Sequence, residues 1–210
     1  MCGVFGFVSN NDEPMNLKIM QAIAVNTMTR GRHAFGFAWI NSKDRLRCFK
    51  QSGKISDHLG ILAMAADAKM LIGHCRFATQ GDPANNLNNH PHPVDGGWLV
   101  HNGVIHNYQS LLDWHNLYPN TQCDSEVLGL LIERAEGTLL ERCLEAVNEV
   151  GRGDLVMLGL WARPHRMIVA RRNNPLSVGK TKVGRYYASL PDKLPGKVST
   201  VKNFSVVEIG

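Results

Sequence analysis

The apolar runs of this chain are unevenly placed, and their placement limits the folds open to it. Short alternating or continuous apolar stretches that read as strands lie in both the first and the last third of the sequence. Helical periodicity occupies the stretch between them. Residues 3–8, 70–75 and 98–103 read as strands, and 35–40 with 45–50 as a hairpin over the polar turn Asn41 to Asp44. Residues 154–161, 166–171, 185–189 and 204–209 supply the late strands. Leu17, Met20, Ala24, Thr27 and Met28 recur at helical spacing, which predicts a helix over 15–29 with Pro14 near its first position and Gly31 as its stop. Asp57 is the expected cap of a short helix to about 67. Three more helices are expected over 108–116, 124–135 and 138–149. Thr138 and Glu141 have capping-box spacing, and Gly137 and Gly151 stand at helix ends. Strands flanking helices can give two packed sheets covered by helices. Periodicity alone does not fix that layering.

There is no repeat, low-complexity tract or linker, so residues 1–210 read as one domain. Hydrophobic residues at 44% can build a core, and charged residues at 20% without a like-charge block argue against disorder. The five cysteines, Cys2, Cys48, Cys75, Cys123 and Cys143, are odd in number, widely spaced and free of C-x-x-C pairs. That pattern suggests neither a disulfide framework nor a zinc ribbon. With only Met1 ahead of Cys2 no signal peptide is expected, and no apolar run is long enough to span a membrane. The expectation is a reduced, cytoplasmic, soluble domain.

Three segments carry chemistry. The first is Met1-Cys2-Gly3-Val4-Phe5-Gly6-Phe7. Cysteine is small enough that Met1 is expected to be removed, leaving a mature chain of 2–210. One residue then holds a thiol and a free α-amine, which ordinarily titrate at about 8.5 and about 7.7–8.0. The amine can take the thiol's proton near neutral pH, making a nucleophile and base in one residue. A strand over 3–8 would hold Cys2 at a sheet end. The second is Cys75-Arg76-Phe77-Ala78-Thr79-Gln80-Gly81. The Arg76 fork matches a carboxylate bidentately, Thr79 adds a hydroxyl, and the glycine-ended loop can close on a ligand. A strand-end arginine alone is more often a surface ion pair. The third is His101-Asn102-Gly103, where a side-chain amide and an adjacent backbone N–H could donate to an oxyanion. The same pair also fits an ordinary Asn-Gly hairpin turn.

These segments occur in one order with Arg30-Gly31-Arg32-His33-Ala34-Phe35-Gly36, Asn89-His90-Pro91-His92-Pro93 and Cys123-Asp124-Ser125-Glu126-Val127. Together they resemble the class II glutamine amidotransferase domain, an N-terminal-nucleophile hydrolase, and most nearly the glutaminase half of glucosamine-6-phosphate synthase. Arg172-Asn173-Asn174-Pro175-Leu176 and Val206-Val207-Glu208-Ile209 extend the likeness across the chain. The resemblance implies an α+β fold, a four-layer αββα sandwich of two mainly antiparallel sheets. It implies that Cys2 attacks the side-chain amide of glutamine with its own α-amine as base. A γ-glutamyl thioester forms as ammonia leaves. Asn102 and Gly103 would form the oxyanion hole, Arg76 would hold the α-carboxylate and Asp124 the α-ammonium. Phe77 and Thr79 would belong to the lid over the substrate, and His90 would support it. Four positions depart from the family pattern: Gln80 for a histidine, His33 for an aspartate, Phe77 for a tryptophan, and Leu190 for an acidic residue.

No cofactor or metal is expected. His90, His92, His101 and His106 cluster in sequence, but no H-E-x-x-H or paired-cysteine spacing accompanies them. The net charge of +5 and the late basic residues Arg163, Arg166, Arg171, Arg172, Lys180, Lys182 and Arg185 are a weak pointer to nucleic acid, because basic strand residues are more often a solvated face. Members of this family usually carry a second, ammonia-consuming domain. The expectation here is a separately encoded acceptor synthase. The alternatives are a stand-alone hydrolase of another γ-glutamyl or small amide substrate, and a non-catalytic glutamine sensor or regulatory subunit.

Overall fold

Alternate residues of single strands pack into different cores. In the computed structural model, which describes residues 1–210, β1 (Gly3–Ser9) sends Phe5 and Phe7 to one core and Val4 and Val8 to another. β7 (Leu155–Ala162) divides Leu155, Met157 and Trp161 from Val156, Leu158 and Leu160 in the same way. Side chains of a strand point alternately to opposite faces, so a strand buried on both faces needs a layer on each side. The layers are two sheets stacked face to face, with helices on their outer faces.

The first sheet has seven strands in the order β11-β9-β10-β1-β4-β2-β3. They are β2 (Ala34–Ile40), β3 (Leu46–Ser52), β4 (Met70–Arg76), β9 (Ser177–Lys180), β10 (Gly184–Ala188) and β11 (Lys197–Thr200) beside β1. The second has five in the order β12-β8-β7-β6-β5: β5 (His92–Val94), β6 (Gly97–Gly103), β7, β8 (His165–Arg172) and β12 (Ser205–Ile209). Every pairing is antiparallel. Val4, Ile40, Ile72, Val100, Leu158 and Val169 fill the layer between the sheets. Helix α1 (Leu17–Met28) and the 3-10 segment Ile55–Ala65 cover the first sheet, burying Met20, Ile23 and Leu62 against Phe5 and Phe37. Helices α2 (Tyr108–His115), α3 (Glu126–Arg134) and α4 (Leu139–Glu149) cover the second. Each large apolar side chain fully buried here contributes about 1.5–3 kcal/mol. The α+β αββα expectation is met. No helix is long and apolar enough to cross a membrane.

Local signals fared unevenly. The Thr138–Glu141 capping box is present, and Gly137 and Gly151 take positive φ of 102° and 77°. Helix α1 starts later than Pro14 suggests, because the Asn16 side chain accepts from the Ile19 N–H at 3.2 Å and caps it. Gly31 does not stop that helix, which ends at Met28 with Thr29 still right-handed. Gly31 serves instead as a contact point, since a Cβ there would stand 2.5 Å from the Arg76 carbonyl carbon. Asp57 is not a cap: the segment starts at Ile55, is 3-10 in character, and is broken at His58. The loop expected over 80–97 contains a 3-10 turn, Asn86–Asn88, and β5. Strands β9 and β11 carry no readable apolar alternation, and β11 is exposed throughout.

Candidate active site

Cys2 stands at the open end of a central strand. Gly3 pairs with Cys75 across the β1–β4 ladder, which brings Cys2 beside the end of β4 and the loop that follows. The Phe77 N–H donates to the Cys2 sulfur at 3.3 Å, and the thiol lies 3.4 Å from the Phe77 carbonyl oxygen. The Cys2 carbonyl accepts from Arg30 Nε at 2.7 Å. A Cβ on Gly3 would come within 2.6 Å of Thr27 Cγ2, so glycine is what lets α1 close on the first residues. Burial raises the thiol's pKa. The Phe77 N–H, the N-terminal ammonium and Arg76 oppose that rise, and Asp124 adds to it.

The loop after β4 is fastened by His33, which lies ahead of β2. His33 Nδ1 accepts the Ala78 N–H at 3.0 Å, and its ring stacks on Phe77 with centroids 4.8 Å apart. Phe77 and Thr79 remain exposed.

Asn102 and Gly103 end β6, opposite Val156 and Leu155 of β7. They are not a hairpin turn; the chain continues through Val104–Asn107 into α2. The Asn102 side chain is buried and its Nδ2 makes no hydrogen bond to protein. Its main-chain carbonyl accepts from Asn174 Nδ2 at 2.8 Å. Cys2, Phe77, Thr79, Asn102 and Gly103 line one cleft of about 430 Å³, together with Met1, Val104, His106, Asp154 and Asn174.

The remaining expected residues lie outside that lining. Arg76 is buried, and its guanidinium donates to Asn89 Oδ1 at 2.9 Å, to the Gly81 carbonyl at 3.2 Å and to the Gln80 carbonyl. Asp124 is buried and its Oδ2 accepts the Ile105 N–H at 2.7 Å. Both charges nonetheless act on the Cys2 thiol, in opposite directions. His90 is also buried, packed against His74 at 4.0 Å and His92 at 4.5 Å between ring centroids.

Several residues of this region were not singled out in the sequence. Lys50 donates from Nζ to the Asn89 and Pro91 carbonyls at 2.9 and 3.1 Å, fixing the segment that carries the Arg76 partner. Asn174 was visible only as part of a stretch of family likeness, His106 only as a member of the histidine cluster, and Asp154 carried no signal. His74, His90, His92 and His101 are all buried, and burial holds their imidazoles below the ordinary range, His92 to about 3 and His101 to about 4. His101 Nδ1 is 2.8 Å from Ser125 Oγ. Three of the late basic residues are engaged internally. Arg166 pairs with Glu208 at 2.7 Å, and Arg171 and Arg172 donate to the Asn174 and Gly153 carbonyls at 2.8 and 2.6 Å.

No family model matches the chain. It is 32% identical over 207 residues to glutamine–fructose-6-phosphate aminotransferase (isomerizing) of Helicobacter pylori, covering 94% of this chain and 34% of that one. To the Corynebacterium diphtheriae protein of the same name it is 30% identical over 220 residues, covering 97% and 34%. The chain thus spans about a third of the length of these curated relatives. Among solved structures, the glutamine phosphoribosylpyrophosphate amidotransferase of B. subtilis, complexed with ADP and GMP, matches with a TM-score of 0.73 and 27% identity, over 90% of this chain and 42% of that one. A class II glutamine aminotransferase domain protein from Silicibacter pomeroyi matches over 100% and 95% with a TM-score of 0.67; at 16% identity it speaks for the fold alone.

Proposed function

The chain is a class II glutamine amidotransferase domain, and from that premise we propose that it releases ammonia from L-glutamine through a γ-glutamyl thioester on Cys2. The observation that carries the reading is the shared cleft: the Cys2 thiol opens onto the same space as Asn102 and Gly103. Met1 is removed first, because the nitrogen of a Met1–Cys2 peptide bond cannot act as a base. The freed α-amine takes the thiol's proton, and Sγ attacks the side-chain amide carbon of glutamine. The amide oxygen gains negative charge, which the Asn102 side-chain amide and the Gly103 N–H stabilise. Donors of this kind contribute about 2.7–4 kcal/mol each. The α-ammonium returns the proton to the leaving nitrogen, ammonia departs, and water then releases glutamate from the thioester.

Selection for a free amino acid rests on opposite charges. Arg76 takes the α-carboxylate, exchanging some of its present contacts with the Gln80 and Gly81 carbonyls, and Asp124 takes the α-ammonium. Thr79 and Phe77 close over the substrate, and His90 supports them from within. The ammonia passes to an acceptor synthase in the cytoplasm. The five cysteines are unpaired, as a reducing compartment would keep them.

Intact mass before and after treatment with a diazo-ketone analogue of glutamine tests this. The expected result is a chain lacking Met1 that gains one adduct, at Cys2, with glutamine protecting. If Met1 is absent and Cys2 stays unlabelled while a control amidotransferase is labelled, the hydrolase reading fails and a sensor role replaces it.

A further inference from the structure

We propose that His90, His92 and Cys123 form a zinc site in the interior, beside the catalytic cleft rather than in it. One ligand atom from each of the three lies within 4.8 Å of the other two. All three residues are buried: His90 is 3% exposed, His92 0% and Cys123 7%. Both ring nitrogens of His90 and of His92 lack any hydrogen-bond partner in the protein. Buried imidazoles normally have partners; each neutral ring carries one N–H and one lone-pair nitrogen, and the two unpartnered lone pairs side by side point to a ligand that accepts them. The Cys123 thiol forms no disulfide; it lies 3.8 Å from the carboxylate of its neighbour Asp124, and the backbone and side chain of Ser125 also hydrogen-bond to its sulfur.

The donor set suits zinc. Two neutral imidazoles and one thiolate are ligands of the type zinc takes, with Zn–N of about 2.0–2.1 Å and Zn–S of about 2.3 Å. A tetrahedron with those bonds separates the donors by roughly 3.3–3.6 Å. Side-chain shifts of about an ångström bring the present spacing to that value. Three protein ligands leave one position for water. On binding, the Cys123 S–H bond breaks, the sulfur's electron pair goes to the metal, and the proton leaves to solvent. Of the groups facing the site, Arg76 and Lys50 are cationic and Asp124 is anionic. The thiolate formed on binding offsets one of the two positive charges that zinc adds, and Asp124 stands next to it in the chain.

The site's place in the fold gives it a consequence. His90 follows Asn89, which holds Arg76, and Cys123 precedes Asp124. A metal ion here would tie the segment that holds Arg76, through Asn89, to the segment that carries Asp124. That consequence rests on the glutamine reading; the metal site does not.

The test uses tag-free full-length protein carrying Cys2→Ser, which removes the thiol that lines the cleft, after treatment with a chelator. Cobalt titration should saturate at one ion per chain, with a sulfur-to-cobalt charge-transfer band and tetrahedral d–d bands, and zinc should displace it. Competition against a chromophoric chelator should give micromolar or tighter zinc binding. Cys123→Ser and His92→Gln should each weaken it at least a hundredfold, with circular dichroism reporting the fold. A cobalt spectrum without the sulfur band, or equal zinc uptake by Cys123→Ser, overturns the proposal. Should either variant fail to fold, the cobalt spectrum of the Cys2→Ser protein decides alone. Because Cys2 is absent from that protein, the outcome is independent of the diazo-ketone labelling.

Discussion

The Asn174 side-chain amide donates to the Asn102 main-chain carbonyl at 2.8 Å. Asn174 lies just beyond β8, and its own carbonyl accepts from Arg171 Nε at 2.8 Å. Its neighbour Asn173 donates from Nδ2 to Asp154 Oδ1 at 3.0 Å. The end of β6 is therefore held by a turn that reaches it across β7. Asn174 touches the peptide that links Asn102 to Gly103, so it is a positioning residue for both proposed oxyanion donors. Asn174→Ala should lower kcat for glutamate release by about tenfold with little change in KM, since misplacing a preorganised donor forfeits part of its contribution. Asn174→Asp, which sets an acceptor against an acceptor, should lower it further. Steady-state kinetics on both variants would decide, and an unchanged kcat would remove Asn174 from the machinery.

Asn102 itself should behave differently. Its Nδ2 is buried without a protein partner, and such a group costs about 1–3 kcal/mol of stability. Asn102→Ala should therefore lower kcat by about 10²–10³-fold while leaving the melting temperature unchanged or raised. Single-turnover glutamate release beside a thermal melt separates the two effects. A variant that is both inactive and less stable would mean that Asn102 is structural.

That pair of residues also shows what the sequence could and could not disclose. Asn-Gly after an apolar run has two local readings, and only a partner strand distinguishes them. Here β7 pairs straight through Gly103, so the turn reading fails. Layering was hidden for the same reason: Phe5 and Val4 look equally apolar, and only packing shows that they face different cores. The Thr138–Glu141 capping box was legible because both halves act within one turn of the chain, whereas Asp57 and Gly31, read by residue type alone, do not cap the helices expected of them. β11 was not, because an exposed edge strand needs no apolar face. The stacking of His33 on Phe77 joins residues far apart in sequence, and neither residue type predicts the other.

The buried histidines make stability sensitive to acid. His74, His90, His92 and His101 are held neutral in the fold, with His92 at about 3 and His101 at about 4, against an ordinary value of 6.5. Above that value neither the folded nor the unfolded chain is protonated at these sites, and they contribute no pH dependence. Below it the unfolded chain takes up protons that the folded chain refuses, so stability falls with pH. Each histidine adds a slope of up to about 1.4 kcal/mol per pH unit, until pH passes its folded value. Urea unfolding at neutral pH and at several points below 6.5, with a chelator present, should show that decline. A flat profile would show that the imidazoles protonate inside the fold.

Asp124→Asn separates the anchor role from a structural one. The substituted amide can still present an oxygen to the Ile105 N–H, so the local fold should survive. The negative charge is lost, and with it the proposed ion pair to the α-ammonium of glutamine. KM should rise by about 10²-fold, on the scale of a buried charge-assisted hydrogen bond, with a smaller change in kcat. A second readout involves no substrate. Asp124 raises the pKa of the Cys2 thiol, because a carboxylate nearby disfavours the thiolate. Removing its charge should lower that pKa, so alkylation of Cys2 by iodoacetamide should reach half its maximal rate at a lower pH in the variant. An alkylation profile that does not move, or that moves upward, would mean that Asp124 does not act on Cys2 by charge. A KM that stays put would remove Asp124 from substrate binding.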